Sequence, residues 1–143
     1  DLSTGDRITP SPVNKLFKLN ISDKYIELFA YNFETILAEK LQTILSRGIA
    51  TTRAKDYFDV YSITSHKDLI DLSTLKEAFN ATMKYRETNY SKQRIVDIME
   101  SINEGDAMNE LWNAYKDEFF FAHNIEFESV YLAVKKVILE ILN

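Results

Sequence analysis

The chain has 143 residues, a net charge of −5, 45% hydrophobic and 27% charged residues, and no cysteine. That balance suits one globular domain with a real hydrophobic core, and it excludes disulfides and thiolate metal sites. Two histidines, His66 and His123, are too few for a His-based zinc site without carboxylate help, no apolar run reaches membrane-spanning length, and an acidic whole excludes nonspecific coating of DNA.

The charge is uneven. Residues 1–66 carry eight basic and eight acidic side chains, against nine and fourteen in residues 67–143. A local basic pocket in the first half is compatible with that distribution.

Both prolines, Pro10 and Pro12, lie near the start, which predicts a short irregular opening followed by helices. Asp1 to Ser3 reads as the end of a strand, Thr4-Gly5-Asp6 as a turn with Asp6 stabilising it, and Ile8 to Pro12 as a loop. Leu16 to Leu19 and Tyr25 to Ala30 read as two strands, with Asn20, Ser22 and Asp23 supplying turn chemistry between them. From Phe33 the period becomes helical. Ile36, Leu37, Leu41, Ile44 and Leu45 recur at helix spacing, Asn32 is the expected N-cap, and Gly48 the expected stop.

A second helix is predicted from Thr52 to His66, with Tyr57, Phe58, Val60, Tyr61 and Ile63 on its apolar side. Later helices are predicted over Leu75 to Tyr85 capped by Ser73, Arg94 to Ile102 capped by Ser91, and Met108 to Phe121 capped by Asp106. The last begins at Glu126 or Phe127 and reaches Leu142, with Val130, Val134, Val137, Ile138 and Ile141 as its apolar stripe. The expected class is α+β: a short β edge followed by a mainly helical bundle. The aromatic cluster Trp112, Tyr115, Phe119, Phe120 and Phe121 is expected in the core, with a base-stacking platform as the alternative; exposure of Phe119 to Phe121 would instead mark an interface, or a surface that an N-terminal portion of a longer chain covers.

The charges around the first helical turn ask for explanation. Lys40, Thr43 and Arg47 fall on one helix face, opposite Leu37, Leu41, Ile44 and Leu45. Asp56 and Asp59, three apart, share a face of the second helix, with Arg53 and Lys55 beside them. Lysine suits phosphate oxygens as a point charge, and arginine can grip them bidentately. Taken alone the pattern equally fits a lysine reaching into solvent and two first-turn acids favoured by the helix dipole and paired with their neighbours.

The segments DLSTGDRITP and AYNFETILAEKLQTILSRGIATTRAKDYFDVY resemble the AbiEii/AbiGii-type nucleotidyltransferase toxins. The resemblance rests on Asp1 to Asp6, Ala30 to Asn32, the Glu-Thr-x-x-Ala-Glu-Lys-Leu helix of Glu34 to Leu41, and the Arg-x-Lys-Asp-x-x-Asp helix of Arg53 to Asp59. It covers roughly the first 61 residues.

The resemblance implies a polymerase-β-like nucleotidyltransferase that uses two Mg²⁺, held by three carboxylates, to move a nucleotide from an NTP to a hydroxyl. It implies a cytoplasmic toxin of an abortive-infection, phage-defence system, with a cognate antitoxin and an RNA acceptor, tRNA 3′ ends included. By position Asp1 would be a metal carboxylate, and Lys40 would contact the triphosphate. Asp56 would lie near the nucleotide or act as a base, and Arg47, Arg53, Lys55 and Asp59 would join the nucleotide site. Residues 1–32 would end the nucleotidyltransferase β core and 33–143 would form the helical domain.

The family's Asp-x-Asp pair occurs nowhere in the chain. The chain is thus expected to be the C-terminal portion of a longer transferase and inactive alone. The rival class is a non-catalytic helical module that binds an antitoxin or RNA. A helical ribonuclease is disfavoured, because His66 follows Arg53 by thirteen residues, too far for the short Arg-to-His motifs of that class.

Overall fold

The computed structural model describes the backbone of Val13–Lys18 and Tyr25–Ala30 and the chain from residue 32 to 143, the Lys67 side chain excepted. Asp1, Asp6 and the strand and turn expected near them lie outside the described residues.

The fold is a helical bundle, which corrects the α+β assignment. No strand occurs among residues 32–143. The strands β1 (Val13–Lys18) and β2 (Tyr25–Ala30) pair antiparallel with each other, from Val13 opposite Ala30 to Lys18 opposite Tyr25, in a sheet of two strands among the described residues. A two-stranded hairpin offers no sheet layer for a bundle to pack on. The core among the described residues is built by helices.

Helix α1 (Phe33–Arg47) begins where the Asn32 side chain accepts the Thr35 N–H at 2.9 Å. Leu37, Leu41, Ile44 and Leu45 are almost wholly buried, each burial contributing about 1.5–3 kcal/mol. The helix stops at Gly48, whose φ of +51° suits a residue without Cβ and whose N–H returns to the Ile44 carbonyl. A single 3₁₀ turn, Gly48–Ala50, then leads to α2 (Ala54–Thr64), where Thr51 Oγ1 accepts the Arg53 N–H. That bond holds Arg53 outside the helix, so α2 starts two residues later than its sequence pattern predicts.

Helix α3 (Leu72–Tyr85) is capped by Asp71 rather than Ser73. Asp71 Oδ1 accepts the Thr74 N–H at 2.7 Å and the Ser73 hydroxyl at 2.6 Å, so Ser73 serves the cap as a donor. Glu34, buried near the start of α1, accepts the Asp71 N–H at 2.8 Å and joins the N-terminal ends of α1 and α3. The Ser73 hydroxyl and the Thr74 N–H hold the Asp71 carboxyl down at about 2 instead of its ordinary 3.8. A depressed native pKa means that the cap's contribution is complete above 3.8 and is lost as pH falls from there through about 2. A carboxyl ¹³C titration of Asp71 should find its midpoint near 2, and D71A should abolish that part of the acid-dependence of stability; a midpoint at 3.8 would mean that the cap is open in solution.

Helix α4 (Lys92–Glu104) starts at the Ser91 cap, as expected. Helix α5 (Asp106–Glu118) starts one residue past Gly105, with Asp106 in its first turn. It ends before the aromatic run, which turns into a 3₁₀ segment, Phe120–Ala122. Helix α6 (Phe127–Leu142) buries the predicted stripe Val130, Val134, Val137, Ile138 and Ile141. Helix α1 packs chiefly on α3 and α2, and α6 lies across α2, so α2 is held on both sides. No helix among the described residues is long and apolar enough to cross a membrane.

Candidate functional site

Clamping α2 between α1 and α6 fixes the direction of its first two turns. Asp56 and Asp59, one turn apart on α2, face Lys40 on α1. Lys40 Nζ lies 2.7 Å from Asp56 Oδ1 and 2.9 Å from Asp59 Oδ2. Lys55 Nζ reaches Asp59 at 2.9 Å, and Arg53 Nε lies 2.8 Å from Asp56 Oδ2. Although close, the Arg53 N–H is not aligned on Oδ2, which has no hydrogen bond among the described residues. Five of the predicted site residues therefore form one connected cluster.

Its members differ in depth. Asp56 is 1% exposed, Lys40 and Asp59 each 19%, Arg53 50% and Lys55 66%. Burial pulls the Lys40 ammonium down in pKa. Its hydrogen bonds to Asp56 and Asp59 and their negative charges outweigh that, so its pKa rises above the ordinary value. Lys40 is thus a fixed positive charge. Among the described residues three cations face two carboxylates, an excess of one positive charge, with the two most exposed cations at the rim. The Lys55–Asp59 pair is a surface pair, of the kind that contributes about 0–1 kcal/mol and opens readily toward a stronger anion.

The predicted Lys40–Thr43–Arg47 face does not act as a unit. Thr43 turns to α3, where its hydroxyl accepts from Arg86 Nη1 at 3.3 Å. Buried Gln42 accepts from the same nitrogen at 2.8 Å and donates to Thr88 at 2.9 Å. Arg47 is exposed in the last turn of α1, two turns beyond Lys40, and takes no part in the described cluster.

Phe58 and Tyr115 adjoin the cluster, and sequence reasoning missed Phe58 as a neighbour of the charged site. Phe58 sits beside Asp59 and three residues after Lys55, a spacing that places it over the Lys55 turn. Its ring centroid lies 4.9 Å from Phe121 and 6.2 Å from Tyr115. Burial, then the charges of Asp59 and Glu118, raise the Tyr115 phenol pKa. Tyr57, on the opposite side of α2, is buried with its hydroxyl unbonded among the described residues; burial and the Asp56 charge raise its pKa far above the ordinary range.

Magnesium does not fit the described cluster. No group of three or more acidic or histidine side chains is gathered among the described residues. The two carboxylates present are already faced by cations. Asp1, the expected metal ligand, lies outside the described residues.

A protein-family model described as "Nucleotidyl transferase AbiEii toxin, Type IV TA system" matches residues 1–133. No curated protein and no solved structure compared with the chain matches it.

Proposed function

Because the chain belongs to the AbiEii family of nucleotidyl transferase toxins from type IV toxin–antitoxin systems, we propose that it serves the transfer of a nucleotide from an NTP to an acceptor hydroxyl. RNA, with tRNA 3′ ends as one case, is the proposed acceptor class. The family implies an antitoxin partner. Action in the cytoplasm against phage-infected cells completes the proposal.

The observation that carries this reading is the cation-rich cluster at the α1–α2 junction, in which Lys40 is locked between Asp56 and Asp59. In the proposed step an acceptor hydroxyl oxygen bonds to the α-phosphorus, the bond from that phosphorus to the bridging oxygen breaks, and pyrophosphate leaves with the bonding pair. The hydroxyl proton passes to solvent or a nearby base. Lys40, Arg53 and Lys55 would neutralise the charge that accumulates on the leaving oxygens, which is the usual source of catalysis in phosphoryl and nucleotidyl transfer.

Both oxygens of Asp56 face cations, Lys40 and Arg53. Asp56 is therefore better suited to positioning Lys40 than to taking a proton, and Asp59 to holding Lys40 and Lys55 in register. Arg47 stays a candidate for the outer phosphate only if the substrate reaches the end of α1. Magnesium belongs to the proposal through residues outside the described set, Asp1 among them, and none of these roles depends on it. The sequence has no Asp-x-Asp pair, so we propose that this chain does not turn over by itself.

In the complete toxin, K40A should lower the rate of labelled-nucleotide transfer to total tRNA by about a hundredfold or more, the scale seen when one preorganised charge-stabilising donor is removed. Circular dichroism should report an intact helical fold. Transfer at the wild-type rate in a folded K40A protein would remove Lys40 from the reaction.

A further inference from the structure

The aromatic cluster of α5 and the turn after it divides into two parts. Trp112 is buried, whereas Phe121 is 47% exposed and Phe120 82% exposed. This corrects the expectation that the whole run lies in the core. Helix α5 ends at Glu118, and the 3₁₀ turn that follows points these two rings outward. They are not isolated. Phe121 packs on Phe58 at 4.9 Å, lies stacked on Phe119 at 5.5 Å, and is capped edge-on by Phe120 at 5.8 Å. The result is a braced aromatic ledge, and its support on α2 is the residue beside Asp59.

We propose that Phe121, with Phe120 beside it, stacks the base of the nucleotide whose phosphates lie on the Lys40 cluster. The inference rests on the triphosphate reading of that cluster and assigns it a base subsite. Three observations converge on a nucleobase as the occupant. The ledge reaches the cluster through Phe58, which precedes Asp59 on α2, and Tyr115, which lies within the field of Asp59; because the described pairs of that cluster hold three cations to two carboxylates, one ligand carrying both a π-face and a polyanion matches both halves. Asp117 and Glu118, exposed at the end of α5, put negative charge beside the ledge, which disfavours a phosphate chain lying along the rings themselves. Finally, the exposed rings are held by ring contacts rather than by backbone alone, which lowers the ordering cost of stacking.

The test is calorimetric binding of inorganic tripolyphosphate and of ATP, GTP, CTP and UTP to the complete toxin and its variants. F121L keeps an apolar side chain against Phe58 while removing the π-face, and F121W enlarges that face. In wild type at least one NTP should bind about tenfold or more tightly than tripolyphosphate, the size expected for one aromatic stack. F121L should erase most of that margin without changing tripolyphosphate binding, and F121W should keep it. Equal affinity for NTPs and tripolyphosphate in wild type would overturn the base subsite, as would a margin that survives F121L. So would loss of antitoxin binding in F121L with the nucleotide margin intact, which would make the ledge a protein interface. Failure of the underlying reading looks different: tripolyphosphate would not bind, or would bind K40A as well as wild type. Near-UV dichroism of the single tryptophan, Trp112, which lies 5.3 Å from the Tyr115 ring, checks that each variant keeps its local packing.

Discussion

Replacing Asp56 with alanine is expected to destabilise the protein by about 3–5 kcal/mol, the cost of breaking a buried ion pair from one side. The reason lies in burial. Asp56 is 1% exposed and faces two cations, Lys40 and Arg53, so its removal leaves the ammonium of a largely buried Lys40 short of one partner. Asp59→Ala removes a more exposed carboxylate whose other partner, Lys55, stands in solvent, and should cost about 1 kcal/mol or less. Urea denaturation of the two variants checks the ordering; equal costs would mean that Lys40 is held by Asp59 instead.

The Asp56 variant should also alter the alkaline limb of stability. A raised native pKa for Lys40 means that its pairing is complete below the ordinary value of 10.5 and is lost as pH climbs through the higher native value. Removing Asp56 removes one cause of that rise, so the loss should begin at lower pH in D56A than in wild type. Transfer should fall together with stability, because a Lys40 released from Asp56 no longer presents a fixed charge to the leaving phosphates.

Local rules that require one winner were legible in the sequence. Apolar spacing located α1 and α6: the whole expected stripe of α6 is buried, and that of α1 is buried except at Ile36, which is half-buried. Asn32, Gly48 and Ser91 were identifiable as caps from their place at the edges of the apolar period. At α3 two acceptors, Asp71 and Ser73, lie two residues apart, and the carboxylate wins the Thr74 N–H, as the stronger acceptor. The spacing of Asp56 and Asp59 placed both on one face, and the structure brings Lys40 to that face from sixteen residues away. Periodicity did not show that Thr43 would leave the Lys40 face, since its partner Arg86 is forty-three residues distant and caps the end of α3. Nor did it locate the end of α5. A helix extended to Phe121 would bury rings that the chain instead turns outward after Glu118. The short β edge was given the weight of a fold class, which the helical bundle does not bear out, because alternation detects a strand and not its share in the fold.

Trp112 connects the core to that turn, and its replacement has the other large expected effect. W112A should cost about 3–5 kcal/mol, the range for truncating a fully buried large aromatic residue. W112F keeps most of the volume but loses the bond from Nε1–H to the Ile125 carbonyl at 2.8 Å, and should cost about 1–2 kcal/mol. The bond matters beyond its energy. It ties α5 to the chain just beyond the 3₁₀ turn that carries Phe120 and Phe121, so W112F should leave the global fold in place while loosening that turn. Hydrogen exchange would show this as faster exchange at Ala122, His123 and Ile125, whose amides bond within the turn, with α1 and α6 amides unchanged. If Phe121 stacks a base, W112F should also narrow the affinity margin between an NTP and tripolyphosphate, because a mobile ring pays an ordering cost that a braced one has already met. A turn that exchanges no faster in W112F would show that the Phe58–Phe121 and Phe119–Phe121 contacts hold the ledge without help from the tryptophan.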